Sequence, residues 1–275
     1  MRFLRDYELT IGVGDQAVKV VPPIKITFSA DKSTDVSLNK LNLKIYNLKE
    51  SNRLALIKDE DDKKAYIPLE LRVGYMDRME LVFRGSVHIG EHAREGAEFV
   101  NTIQCLDGGT DYLNSFTSAT VRGKDQAIST ALGTMGNTRK GAITQHADLV
   151  RPKVLVGNSA KLITEMLDDD ETFFIDNEQL FVLRDDEVRS SLAPLVSAKT
   201  GLLNTPTASK DEVTFQTMMN PTLQVAGLCK LESRTAPDLN GVYRVSQITY
   251  SGDYSGGDWS QTVTARRAQN YKVIQ

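Results

Sequence analysis

The sequence predicts a mainly β protein with an α/β insert, in which two similar β-barrel-like modules flank a small α/β domain. Three observations carry this expectation. The first hundred residues alternate polar and apolar positions with period two. A middle stretch switches to helical spacing. From about Leu192 the period-two pattern returns. The expected boundaries are 1–110 for the N-terminal β module, 111–190 for the insert and 191–275 for the C-terminal β module.

In the first module, Leu41, Leu43 and Ile45 alternate with polar neighbours, as do Ile67, Leu69, Leu71, Val73 and Tyr75. Each set marks a strand with one buried face. "GYMDRMELVFRG" reads as a strand, a turn at residues 76–78 and a return strand. "LKESNRLALIK" reads as a short helix, and the charge run at residues 58–64 as a solvated loop. In the insert, residues 123–135 and 159–170 carry apolar side chains at helical spacing. Leu162, Ile163, Met166 and Leu167 form the stripe of the second helix, with Ser159 as its expected N-cap. "TFFIDNEQLFVL" then reads as a hairpin turning at Asp176, Asn177 and Glu178. The polar, Gly-rich "GTMGNTRKGAITQ" is expected to be a mobile loop. In the last module, "EVTFQTMMNP", "GLCKLES", "GVYRVSQITYS" and "WSQTVTARR" read as strands separated by Pro, Gly and Asn signals.

The two β modules echo one another. "GAEFVNTIQC" (residues 96–105) and "GGDWSQTVTA" (residues 256–265) align with Phe99 on Trp259, Ile103 on Val263 and Cys105 on Ala265. Upstream, Gly85 aligns with Gly241, each opening a strand. This predicts an ancestral duplication with the insert placed between the copies.

No catalytic, cofactor-binding or metal residues are expected. His88 and His92 are four apart on a strand, where that spacing does not converge ligands, and His146 stands alone in sequence. "GVGDQA" at residues 12–17 lacks the third glycine and the helix of a dinucleotide fingerprint and reads as a hairpin turn. No phosphate-loop or nucleophile-elbow motif is present. Glu165 and Asp168, Asp169 and Asp170 are surface acids at a helix end. The Gly/Asp cluster at residues 252–258 lacks the ligand ladder of a calcium loop and reads as a strand-to-strand turn. Cys105 and Cys229 are expected to be reduced, partly buried thiols. A net charge of -3, from 33 Lys+Arg against 36 Asp+Glu, gives no sign of a nucleic-acid-binding face. No apolar run nears the roughly 20 residues that span a bilayer. The charged N-terminus, with Arg2, Arg5 and Asp6, lacks a secretory core, so synthesis in a cytoplasm is expected.

The order of the C-terminal motifs is distinctive: "FFIDNEQLFVL", "TGLLNTPT", "MMNPTLQVAGLCKLES", then "NGVYRVSQITYSGDYSGGDW". With "LNLKIYNL" and "LRVGYMDRMELVFRGSV" near the start, it resembles the baseplate hub proteins of long-tailed, especially contractile-tailed, bacteriophages. The resemblance covers most of the chain and least of residues 133–150. It implies a structural, non-enzymatic part of the virion tail baseplate, made in the host cytoplasm and needing no cofactor. It also implies a displayed hairpin and a homotrimeric, pseudo-sixfold ring whose two β modules are tube modules. The implied partners are a trimeric spike, tail-tube or tube-initiator proteins, baseplate wedge proteins and a tape-measure protein. No nucleic-acid site or membrane anchor is implied. Two other readings stay open at the level of sequence: a tail-tip cell-wall hydrolase, and a wall-binding module in the insert.

Overall fold

The computed structural model describes residues 4–14, 17–58, 66–76, 78–146, 148–268 and 270–274, except the side chains of 148–150. The charge run therefore lies outside the described residues apart from Lys58, and so do Asp15, Gln16 and Asp77 of two expected turns.

The N-terminal part holds β1 (Arg5–Ile11), β2 (Val18–Val20), β3 (Ile26–Ser33), β4 (Lys40–Tyr46), α1 (Glu50–Ala55), β5 (Pro68–Tyr75), β6 (Arg78–Glu95) and β7 (Glu98–Leu106). The middle holds α2 (Gly109–Asn114), β8 (Phe116–Gly123), α3 (Lys124–Leu132), β9 (Arg139–Ile143), β10 (Asp148–Asn158), α4 (Ser159–Thr164), β11 (Glu171–Ile175), β12 (Gln179–Arg184) and β13 (Glu187–Val188). The chain then returns to β14 (Leu195–Ser197), β15 (Thr207–Ser209), β16 (Glu212–Met218), β17 (Leu228–Glu232), β18 (Gly241–Asp253), β19 (Trp259–Arg267) and β20 (Lys272–Val273).

The mainly β class is as expected, but the two modules are not separate barrels. Their strands join in one 13-stranded sheet, in the order β15-β16-β19-β18-β3-β4-β7-β6-β5-β1-β2, with β17 also on β18 and β14 on β17. No closed barrel forms among the described residues. The reason is β18, long enough at 13 residues to pair with β17 along its first half and with β3 along its second. Its second half thereby carries the sheet from one module into the other.

Period-two alternation places the cores. Leu41, Leu43 and Ile45, and likewise Leu69, Leu71 and Val73, are fully buried in the main core, which also takes Val245, Val263 and Ala265. The β11–β12 hairpin serves two cores at once. Phe174, Phe181 and Leu183 enter the main core, while Phe173, Ile175, Leu180 and Val182 point the other way onto Ile128, Ala131, Ala160 and Ile163. Cys105 and Cys229 are free and buried, and burial pushes the Cys229 thiol up to about 12.

Two local expectations are corrected. Residues 139–143, expected in a mobile loop, form β9, which runs parallel to β12. There Gly141 lies so close to the Phe181 ring and the Leu180 carbonyl that a Cβ would not fit, so its glycine is a packing residue. The N-cap of α4 is Asn158, whose side chain accepts from the Lys161 amide at 3.0 Å, and Ser159 is already helical.

Candidate assembly interface

The seam between the modules is the ladder of β3 and β18, seven facing pairs from Gln247 opposite Ser33 to Asp253 opposite Thr27. Thr249 donates to the Asp31 carboxylate across it at 2.8 Å. At its end Trp259, 6% exposed, meets Phe28 edge to face at 5.6 Å and donates its indole N–H to the Gly74 carbonyl at 3.0 Å. Arg5 lies over the Trp259 ring and donates to the carbonyls of Asp253 and Gly257. Gly252 is a glycine because an added Cβ would overlap the Phe28 ring. The Gly/Asp cluster at residues 252–258 is a turn: Gly257 has φ 72°, and Asp253 accepts from the Ser255 amide.

The strand pairings repeat residue for residue. In the first module Ser86 faces Leu106 and Val87 faces Cys105; His88 is then bulged, so that Ile89 faces Gln104 and Arg94 faces Phe99. In the second, Arg244 faces Arg266 and Val245 faces Ala265; Ser246 is bulged, so that Gln247 faces Thr264 and Gly252 faces Trp259. The bulge falls at the same step in both hairpins. The next strand out matches as well: Lys40 faces Leu106 and Tyr46 faces Val100, as Glu212 faces Arg266 and Met218 faces Ser260. Phe99 and Trp259, Ile103 and Val263, and Cys105 and Ala265 occupy equivalent places, as the sequence alignment has them. The upstream strands match two residues away from the glycine alignment, with Val87 equivalent to Val245.

A buried charged node ties the insert to the seam. The β11–β12 turn is locked inside rather than displayed. Asp176 accepts from Lys32 of β3 at 2.7 Å and from Arg189 at 2.5 Å, and Asn177 also accepts from Lys32. Asp107, just after β7, accepts the backbone N–H groups of Asn177 and Glu178, both at positive φ. Burial alone would raise the Asp176 carboxyl, but Lys32 and Arg189 outweigh it and hold it at about 2. Burial pushes Asp107 up to about 8, with Lys32 pulling down and Asp176 pushing up. The signs give two windows. Asp176, lowered in the folded chain, contributes stability above about pH 4 that is lost toward pH 2. Asp107, raised, holds its proton longer folded than unfolded, so its contribution is fully present below about pH 4 and lost as pH rises to about 8. The melting temperature is expected to fall between pH 5 and 8, and Asp107→Asn, which stays neutral, should flatten that fall. An equal slope in both proteins, measured by thermal denaturation across pH, would refute this assignment.

The titratable residues singled out in the sequence divide. His92 is exposed on β6, and His88 occupies the bulge. Glu165 caps the end of α4 in solvent. His146 is brought between Asp125 at 2.7 Å and Glu171 at 3.0 Å, and Glu171 also accepts from Arg184 and the Asp168 amide. Asp168 pairs with Lys124. This cluster holds the loop after β9 against the hairpin. Among the described residues no group of three or more metal-ligating side chains converges. Sequence reading missed the node entirely. Its only signal is the lone charge of Lys32 on the apolar-facing side of β3.

The seam and the register-matched repeat belong to a fold that this chain shares with several solved structures. The chain matches a 43 kDa tail protein of prophage MuSo2 from Shewanella oneidensis (TM-score 0.67, 9% identity, covering 95% of this chain and 97% of that one). It matches a tail protein from Neisseria meningitidis MC58 (TM-score 0.66, 9% identity, 96% and 98%). It also matches an E. coli component of the type VI secretion system that is described as similar to the T4 tail proteins gp27 and gp5 (TM-score 0.65, 10% identity, 97% and 79%). No curated protein matches by sequence. The family model "Baseplate hub gp41" matches residues 7–254, and the chain belongs to that baseplate hub family. Its role is accordingly structural, in the baseplate of a phage tail.

Proposed function

We propose that three copies of this chain form a ring at the base of the tail tube, presenting six similar β modules around one axis. Such a ring meets a sixfold tube on one side and a threefold spike on the other, with wedge and tape-measure proteins as further neighbours. The division into tube modules 1–110 and 191–275 and insert 111–190 belongs to this reading. The observation that carries it is the register-matched repeat, bulge included, of β4, β7 and β6 in β16, β19 and β18. Two modules that share backbone geometry can occupy equivalent places in a ring while the insert, present once per chain, keeps the threefold character. The chain acts without catalysis in this reading, since Asp168 and Glu171 are taken up in ion pairs.

Native mass measurement should find a trimer of the 30.5 kDa chain, alone or with a spike partner. Images down its axis should look sixfold. A strict monomer at high concentration would sink the ring.

A further inference from the structure

The seam inside the chain predicts the seam between chains. β3 lies outside β4 as β15 lies outside β16: Asp31 faces Lys40, Ser209 faces Glu212, and Lys40 and Glu212 occupy equivalent positions. Within the chain, β3 is completed by the distal half of β18. The equivalent of that half is residues 89–95 of β6, and the equivalent of Ser29, Ala30 and Asp31 of β3 is Thr207–Ser209 of β15.

Among the described residues both of these edges lack a partner strand. β15 ends the sheet, exposed along its length. β6 pairs with β5 as far as Ser86, its Val87 amide donates to the Ile67 carbonyl, and from Ile89 onward this edge meets only the Lys58–Gly90 bridge among the described residues. The Gly90 amide donates to the Lys58 carbonyl, away from β7. By the two-residue period, the peptide groups of His92 and Arg94 point the same way. In β15 the Ser209–Glu212 pair closes a two-residue turn, which leaves the Ala208 peptide groups facing outward.

We propose that the ring closes by adding β15, residues 207–209, of one copy to residues 91–93 of β6 in the next, antiparallel, in the register used by β3 and β18. Glu91 then faces Ser209, His92 faces Ala208 and Ala93 faces Thr207. The side chains agree with this register. Inside the chain Thr249 donates to Asp31; between chains Ser209 donates to Glu91, the same hydroxyl–carboxylate pair with its sides exchanged. The ladder has three facing pairs against seven, so this seam is weaker than the one inside the chain.

This inference rests on the ring reading, and one experiment separates the two. Ala93 and Thr207 form a non-hydrogen-bonded pair, with Cα atoms about 4.5 Å apart, where a disulfide fits. Within one chain they lie seven strand spacings apart, roughly 34 Å along the sheet. Mild oxidation of the full chain carrying Ala93→Cys and Thr207→Cys is expected to give a covalent trimer on a non-reducing gel, and neither single variant should. Mass measured without oxidation reports the ring independently. A trimer that fails to cross-link, or that links through Ala93→Cys with Ala208→Cys instead, overturns the seam and leaves the ring standing. A monomer removes both.

Discussion

Trp259→Ala is expected to lower the unfolding free energy by about 4 kcal/mol. The side chain is buried at the end of the seam, where it closes the core between β3 and the β5–β6 turn. Its loss removes the edge-to-face contact with Phe28, leaves a cavity, and leaves the Gly74 carbonyl without its donor. It also takes away the ring beneath Arg5. Trp259→Phe separates the two effects: it keeps most of the apolar contact and drops the hydrogen bond, at a cost of about 1–2 kcal/mol. The measurement is chemical denaturation of the isolated chain. A midpoint shift with constant slope locates the effect in the native state. A cost below about 1 kcal/mol for the alanine variant would show that the seam does not depend on this residue.

Asp176→Ala is expected to cost about 3–5 kcal/mol, because it strands two cations in the interior. Lys32 and Arg189 both aim at this carboxylate, and Lys32 is itself buried on β3. Lys32 retains the Asn177 side chain as a hydrogen-bond partner, which does not neutralise it. The paired variant Lys32→Met with Asp176→Leu removes both charges from that contact and should recover part of the loss, since the cost lies in the unpaired ion rather than in the missing bridge. If Asp176→Ala melts with the parent protein, the node is not holding the hairpin. Because the same turn presents the backbone donors that Asp107 accepts, the damage should spread to the end of β7.

The strands were legible because alternation reports which face is buried. Leu41, Leu43 and Ile45, or Val263 and Ala265, needed no knowledge of their neighbours. The repeat was legible for the same reason, through Phe99 and Trp259. Alternation says nothing of which strand lies alongside, so two modules in sequence became one sheet in space through the β3–β18 ladder. The two-residue error in aligning the upstream strands has a physical source. Matching Gly85 to Gly241 followed residue type, whereas the equivalence is fixed by the ladder and its bulges. β9 was hidden because its hydrogen bonds come from β12, some forty residues away, and its composition alone reads as loop. The node was hidden because Lys32, Asp107, Asp176 and Arg189 come from four places in the chain, and each alone resembles a surface charge.

The β3–β18 ladder also has a mechanical side. Its hydrogen bonds run across the strands, so a pull along the strand direction loads the seven facing pairs together, and all must yield at once. A pull at right angles would open them one pair at a time, starting at an end. The end near the Gly/Asp turn is the one braced by Trp259 and by Arg5, whose guanidinium grips two carbonyls of that turn. The other end is braced from behind by Lys32 and the buried node. With both ends clamped, peeling has no free place to begin, and a pull along the strands is met in shear by the whole ladder.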